Sequence, residues 1–156
     1  MINPRAEAAA VAFNGRIYVM GGYNPVFLTS VECYDPRANC WTECANMIEM
    51  HDTAGATVHN GEIFILGGWS GRQCSRTVER YNIQRNEWTK ICSLSIARYG
   101  LACISIDNKL WAIGGVSANS VSIYDEQNDK WIDKKPIPFE GFCNCFTVPK
   151  SLLKSK

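Results

Sequence analysis

The chain has 156 residues, enough for one domain with a sizeable core, and its 46% apolar and 11% aromatic content excludes a disordered polymer. Sixteen basic against fifteen acidic residues leave a formal charge of +1, and no Lys/Arg run exceeds Lys134–Lys135, so composition offers no basic face for nucleic acid. The longest apolar stretches, such as residues 101–106, are too short for a membrane helix, and the opening Met-Ile-Asn-Pro-Arg-Ala-Glu lacks the basic segment and apolar core of a secretory signal.

In chain order, residues 8–13 are a run of small and β-branched residues that meets Asn14–Gly15, the strongest two-residue hairpin signal. Residues 16–20 alternate as a second strand and stop at Gly21–Gly22, where a missing Cβ permits a bend or a tight backbone approach. A loop over 23–29 leads to a third strand, 30–34, which Asp35–Pro36 breaks, and a fourth follows at 39–43. The second copy has strands at 54–59, 62–66, 77–81 and 86–89, with Asn60–Gly61 as its first turn. The third has strands at 101–106, 109–113, 120–124 and 130–133, with Asp107–Asn108 as the turn and a loop after Gly115 three or four residues shorter. No stretch keeps a helical period.

The copies share fixed offsets. The glycine pairs Gly21–Gly22, Gly67–Gly68 and Gly114–Gly115 start 46 and 47 residues apart. Each is followed by a Tyr and, seven residues later, a Trp: Tyr34–Trp41, Tyr81–Trp88 and Tyr124–Trp131. Sixteen residues before each pair stand Arg5, His51 and Arg98. A period in the forties built from four short antiparallel strands predicts an all-β propeller array, in which no unit buries its own apolar face alone. The blades are expected at 1–46, 47–93 and 94–136. A fourth copy begins at Gly141, ten residues after Trp131, so 137–149 is expected to carry a closing strand over 142–148, ahead of a polar tail at 150–156.

Strand–turn–strand ending in Gly-Gly, then Tyr, then Trp, resembles the Kelch motif. The strings Val31-Glu32-Cys33-Tyr34-Asp35-Pro36 and Val78-Glu79-Arg80-Tyr81-Asn82 are similar to the Kelch-like subfamily, in which BTB and BACK domains precede a six-bladed propeller. The likeness covers residues 1 to 149, with two departures. Copy two has His51 where the others have Arg, and copy three has Ser122-Ile123 before its Tyr. The resemblance implies that the last strand of such a chain returns to complete the first blade, so these residues are expected to be the C-terminal half of a longer, incomplete ring.

Chemistry-bearing residues have structural readings. The glycine pairs lack the context of a phosphate loop, and the Tyr/Trp spacing fits packing between blades better than sugar stacking. His51 and His59 are the only histidines; His59, beside a turn, is expected to be exposed. Neither Cys40-x-x-x-Cys44 nor Cys143-x-Cys145 completes a zinc set, so no metal and no cofactor is expected. Eight cysteines at unequal offsets read as reduced thiols in a cytoplasmic protein, with Cys33, Cys103 and Cys145 filling core volume and a reactive pair at Cys143 and Cys145 left open. No catalytic constellation has a local signature, and the chain is expected not to be an enzyme.

Binding by loops on a rigid frame remains. The resemblance places two loop sets on one face: those after the glycine pairs and those entering each inner strand. The candidate partner-binding residues are Arg5, Tyr23, Asn24, Phe27, His51, Trp69, Ser70, Arg72, Arg98, Tyr99, Ser117 and Asn119. Exposed aromatics beside arginines have hot-spot composition. The implied partner is a protein substrate, presented to a cullin-type ubiquitin ligase through a BTB domain that these residues do not include. The alternative is actin or another cytoskeletal protein; neither nucleic acid nor membrane is expected as a partner.

Overall fold

The computed structural model describes residues 1–145. Twelve five-residue strands make three four-stranded antiparallel sheets. The first sheet is β1 (Ala9–Phe13), β2 (Arg16–Met20), β3 (Val31–Asp35) and β4 (Cys40–Cys44). The second is β5 (Gly55–His59), β6 (Glu62–Leu66), β7 (Val78–Asn82) and β8 (Glu87–Ile91). The third is β9 (Ala102–Ile106), β10 (Lys109–Ile113), β11 (Val121–Asp125) and β12 (Lys130–Lys134). Strands follow chain order within each sheet, β1 lies beside β5, and β5 lies beside β9, so the first strand of every sheet is the inner one. The sheets are propeller blades in an arc that, among the described residues, does not close into a ring. No helix among those residues is long and apolar enough to cross a membrane.

The predicted strands match to within a residue or two at their ends. Both residues of Asn14–Gly15, Asn60–Gly61 and Asp107–Asn108 have positive φ, as a type I′ hairpin requires. The glycine pairs carry the neighbouring blade's backbone: Gly22 N–H donates to the His51 carbonyl at 2.9 Å and Gly68 N–H to that of Arg98 at 2.8 Å. A Cβ on Gly67 would stand 2.5 Å from the Arg98 carbonyl oxygen, too close for any L side chain.

The core lies between blades. One cluster joins Tyr18, Met20 and Cys33 of the first blade to Ile63, Ile65, Tyr81 and Trp88 of the second; another joins Phe64, Leu66 and Val78 of the second to Leu110, Ala112, Tyr124 and Trp131 of the third. The Trp indoles stitch these interfaces, Trp88 Nε1 donating to the Ala45 carbonyl and Trp131 Nε1 to the Cys92 carbonyl, both at 2.9 Å. Each repeat Tyr stacks or tilts on its Trp, at centroid distances of 5.0, 4.9 and 5.3 Å.

Of the expected closing strand, residues 142–145 lie outside any strand, although Gly141 bridges Gly115 and the Cys143 N–H donates to the Gly100 carbonyl at 2.8 Å. The rest of that strand, 146–149, and the tail 150–156 lie outside the described residues.

Candidate functional site

The two loop sets meet as short antiparallel bridges. Ala6 pairs with Tyr23, Asp52 with Trp69, and Tyr99 with Val116, so each inner-strand entry lies against the loop that follows its own blade's glycine pair. The entries are also chained to one another: Thr53 N–H donates to the Glu7 carbonyl at 2.9 Å, and Gly100 N–H to the Thr53 carbonyl at 2.7 Å. Glu7, Thr53 and Gly100 stand at equivalent positions with φ of 56°, 51° and 61°. Two of the three are not glycine, and a β-branched Thr at positive φ is held there only by its surroundings.

Aromatic side chains gather on this face. Tyr23 meets Phe27 edge-on at 5.2 Å, Trp69 meets Tyr99 at 5.9 Å, and Tyr99 meets Phe142 at 5.8 Å. Tyr23 is 44% exposed, while Phe27, Trp69, Ser70, Tyr99 and Asn119 are half-buried and Asn24, Arg72 and Ser117 are exposed. Neighbouring loops touch: the Phe27 ring lies against Gly71, and Cys74 Sγ approaches Ser117 Oγ at 4.0 Å. Asn24 Nδ2 donates to the Pro4 carbonyl at 2.7 Å, tying its loop to the segment that enters β1, and Ser70 Oγ donates to the Gln73 carbonyl at 3.0 Å within its own loop.

Arg5, His51 and Arg98 require a correction. Expected among the partner-binding loops, they turn inward, with Arg5's side chain fully buried and His51 and Arg98 at 0% exposure. Arg5 Nη1 donates to the Gly21 carbonyl at 3.0 Å, Arg98 Nη1 to the Gly114 carbonyl at 3.2 Å, and His51 Nδ1 to the Gly67 carbonyl at 2.6 Å. The sixteen-residue spacing is therefore a structural bond between the marker and the first glycine of each pair. Burial lowers the Arg98 guanidinium from its ordinary value.

Sequence reasoning missed the acids that complete these bonds. Glu32 accepts from Arg5 Nη2 at 2.6 Å and from the N–H groups of Ile2 and Asn3. Burial raises the Glu32 carboxyl, but the N–H donors of Asn3 and Ile2 and the Arg5 guanidinium outweigh it and hold the group below the usual carboxylate range. Glu79 repeats the role with His51 at 3.2 Å and with the N–H groups of Ile48 and Glu49. In the third blade Ser122 stands instead, bonding Arg98 at 3.3 Å and Asp133 at 2.8 Å. The signal was present, since each lies two residues before its repeat Tyr.

The Kelch motif matches residues 4–48, 53–94 and 97–136, one match per blade. The chain belongs to the Kelch-repeat family. It is 34% identical over 141 residues to human Kelch-like protein 23, covering 88% of this chain and 25% of that protein. A Kelch repeat and BTB domain-containing protein of Vaccinia virus is 32% identical over 143 residues, covering 84% of this chain and 25% of that protein. Beta-scruin of Limulus polyphemus is 26% identical over 173 residues, covering 97% of this chain and 19% of that protein. The chain thus spans a quarter or less of the length of these relatives. It is a module of three Kelch repeats.

Two further expectations change within this Kelch fold. His59 is buried rather than exposed: its Nδ1 meets Ser105 Oγ at 2.8 Å and its Nε2 meets Glu126 at 3.0 Å, because its turn leans on the third blade. All eight cysteines are free; Cys33 is buried and Cys103 half-buried, but Cys145 is exposed, at the rim of a 610 Å3 cleft between the inner strands. Burial, then Cys143, pushes the Cys145 thiol above its ordinary value, opposite to what a reactive thiol needs.

Proposed function

We propose that the loop face of this Kelch module is the surface that recognises a protein substrate, and that in a longer Kelch-like chain it presents that substrate, through a BTB domain, to a cullin-type ubiquitin ligase. The observation that carries the reading is the convergence of the two loop sets. It puts Tyr23, Phe27, Trp69 and Tyr99 on one face with Arg72 of the same loops exposed, while Arg5, His51 and Arg98 are engaged inside the scaffold. Rigid aromatics with a free guanidinium are what protein hot spots are made of. Asn24, Ser70, Ser117 and Asn119 supply the polar rim. Binding rather than catalysis fits the internal engagement of both histidines, and unpaired cysteines fit a cytoplasmic address.

A second reading, binding to actin or another cytoskeletal protein, is supported by the match to beta-scruin along 97% of this chain. It uses the same face but a different partner. One capture experiment tests both. The full-length parent is used to isolate its bound protein, and this chain is then titrated against that protein and, separately, against filamentous actin. Replacing Trp69 and Arg72 by Ala is expected to weaken capture by roughly thirtyfold or more, as loss of an aromatic anchor does, with the fold retained. Equal affinity of the double variant contradicts the proposed face. Saturable actin binding without substrate capture moves the function to the second reading.

A further inference from the structure

At the inner rim of the loop face a cavity of 410 Å3 is lined by Glu7, Asp52, Thr53, Trp69, Tyr99 and Phe142. Its wall is aromatic. Trp69 stands edge-on to Tyr99 with an interplanar angle of 78°, and Tyr99 to Phe142 at 80°, so successive rings present faces in different directions around one space. Its base is acidic. Asp52 is 5% exposed; its Oδ2 accepts from Thr53 Oγ1 at 3.3 Å, and its Oδ1 is buried with no hydrogen-bond partner among the described residues. Glu7 Oε2 accepts from the same Thr53 hydroxyl at 3.0 Å, so one proton is offered to two carboxylates.

The repeat supplies an internal control. The positions equivalent to Asp52 are Ala6 and Tyr99, and all three make the same backbone bridge to the loop opposite. The blade therefore has no need of an acid there. A buried carboxylate oxygen without a donor costs stability, and burial with Glu7 nearby already disfavours its charge. What offsets that cost is a cation that donates to Asp52 and Glu7 while resting on the negative faces of the rings. A guanidinium suits this wall better than an ammonium. It is planar, stacks on aromatic rings, is weakly hydrated, and spreads its donors in a fork that serves two carboxylates at once.

We propose that this pocket receives an arginine side chain of the protein bound on the loop face. The inference rests on the reading of that face as a protein-recognition surface and adds the chemistry of one residue the partner must bring.

The test is a titration of the isotope-labelled chain, followed by NMR, with three blocked amino acids: N-acetyl-arginine methylamide, its neutral isostere N-acetyl-citrulline methylamide, and N-acetyl-lysine methylamide. Arginine should shift the Trp69 indole and Tyr99 amide signals saturably, with citrulline and lysine each weaker by roughly fivefold or more. Asp52→Asn, which keeps shape and backbone pairing, should weaken the arginine probe by about the same factor. Glu7→Gln, at an exposed position, should weaken it too and serves if the Asp52 variant does not fold. Citrulline or lysine binding as well as arginine, an Asp52→Asn chain with undiminished affinity, or no saturable shift at these two residues would overturn the proposal. Substrate capture that still depends on Trp69 and Arg72 would then leave the loop-face reading standing; loss of both results removes both.

Discussion

Asp52 is where the repeat departs from its own rule, and its carboxyl bears the cost. Burial first, and Glu7 second, push its carboxyl from the ordinary 3.8 up to about 6. A group whose folded value exceeds its unfolded one adds stability below the unfolded value and loses it as pH rises through the folded one. Asp52→Asn has no such loss. Melting temperatures of variant and wild type should lie close together near pH 4 and separate in favour of the variant toward pH 7. A gap that narrows with rising pH contradicts the desolvated carboxylate. Arg5, His51 and Arg98 teach the opposite lesson at the same scale. Their spacing was legible as a repeated marker, but spacing alone does not say which way a side chain turns. Glu32 and Glu79, two residues before the repeat tyrosines, are the partners that draw the first two inward, and Ser122 with the Gly114 and Ser120 carbonyls does so for Arg98.

Among elements, the outer strand of each blade depends on its neighbour. Trp88 on β8 is 9% exposed and donates to the first blade, whereas the equivalent Trp41 on β4 is only half-buried and faces no sheet among the described residues. Trp88→Ala should therefore cost about 3–5 kcal/mol in denaturant unfolding, and Trp41→Ala less than about half of that. Equal losses would mean that the Trp stabilises its own blade rather than the joint between blades. The same dependence explains what was readable beforehand. Hairpin turns such as Asn60–Gly61 and alternating strands such as 62–66 are local, and they appear where the sequence puts them. His59 was misread because its burial comes from Ser105 and Glu126, forty-six and sixty-seven residues away in the chain. The aromatic wall of the pocket was half legible: Trp69 and Tyr99 were candidates, while Phe142 was assigned to a strand. The acid at its base is not legible in the sequence, because nothing in a lone Asp signals that its oxygen will be left without a donor.

For the molecule as a whole, three blades form a curved frame whose inner ends carry the loops and whose two terminal sheets keep one side uncovered among the described residues. Ile17 on the first blade is 40% exposed where its equivalents Ile63 and Leu110 are at 0%, and Ile132 on the last is 39% exposed. These uncovered sides and the loop face are competing places for a protein to bind. The loop face is the proposed recognition surface, because it gathers Tyr23, Phe27, Trp69 and Tyr99 with Arg72 exposed in the same loops. Hydrogen–deuterium exchange of the chain with and without its captured protein decides between them. Protection at residues 23–29, 69–75 and 116–119 is the predicted result. Protection confined to the uncovered sides of the terminal sheets, at β2 around Ile17 and β12 around Ile132, with those loops exchanging as in the free chain, would contradict it.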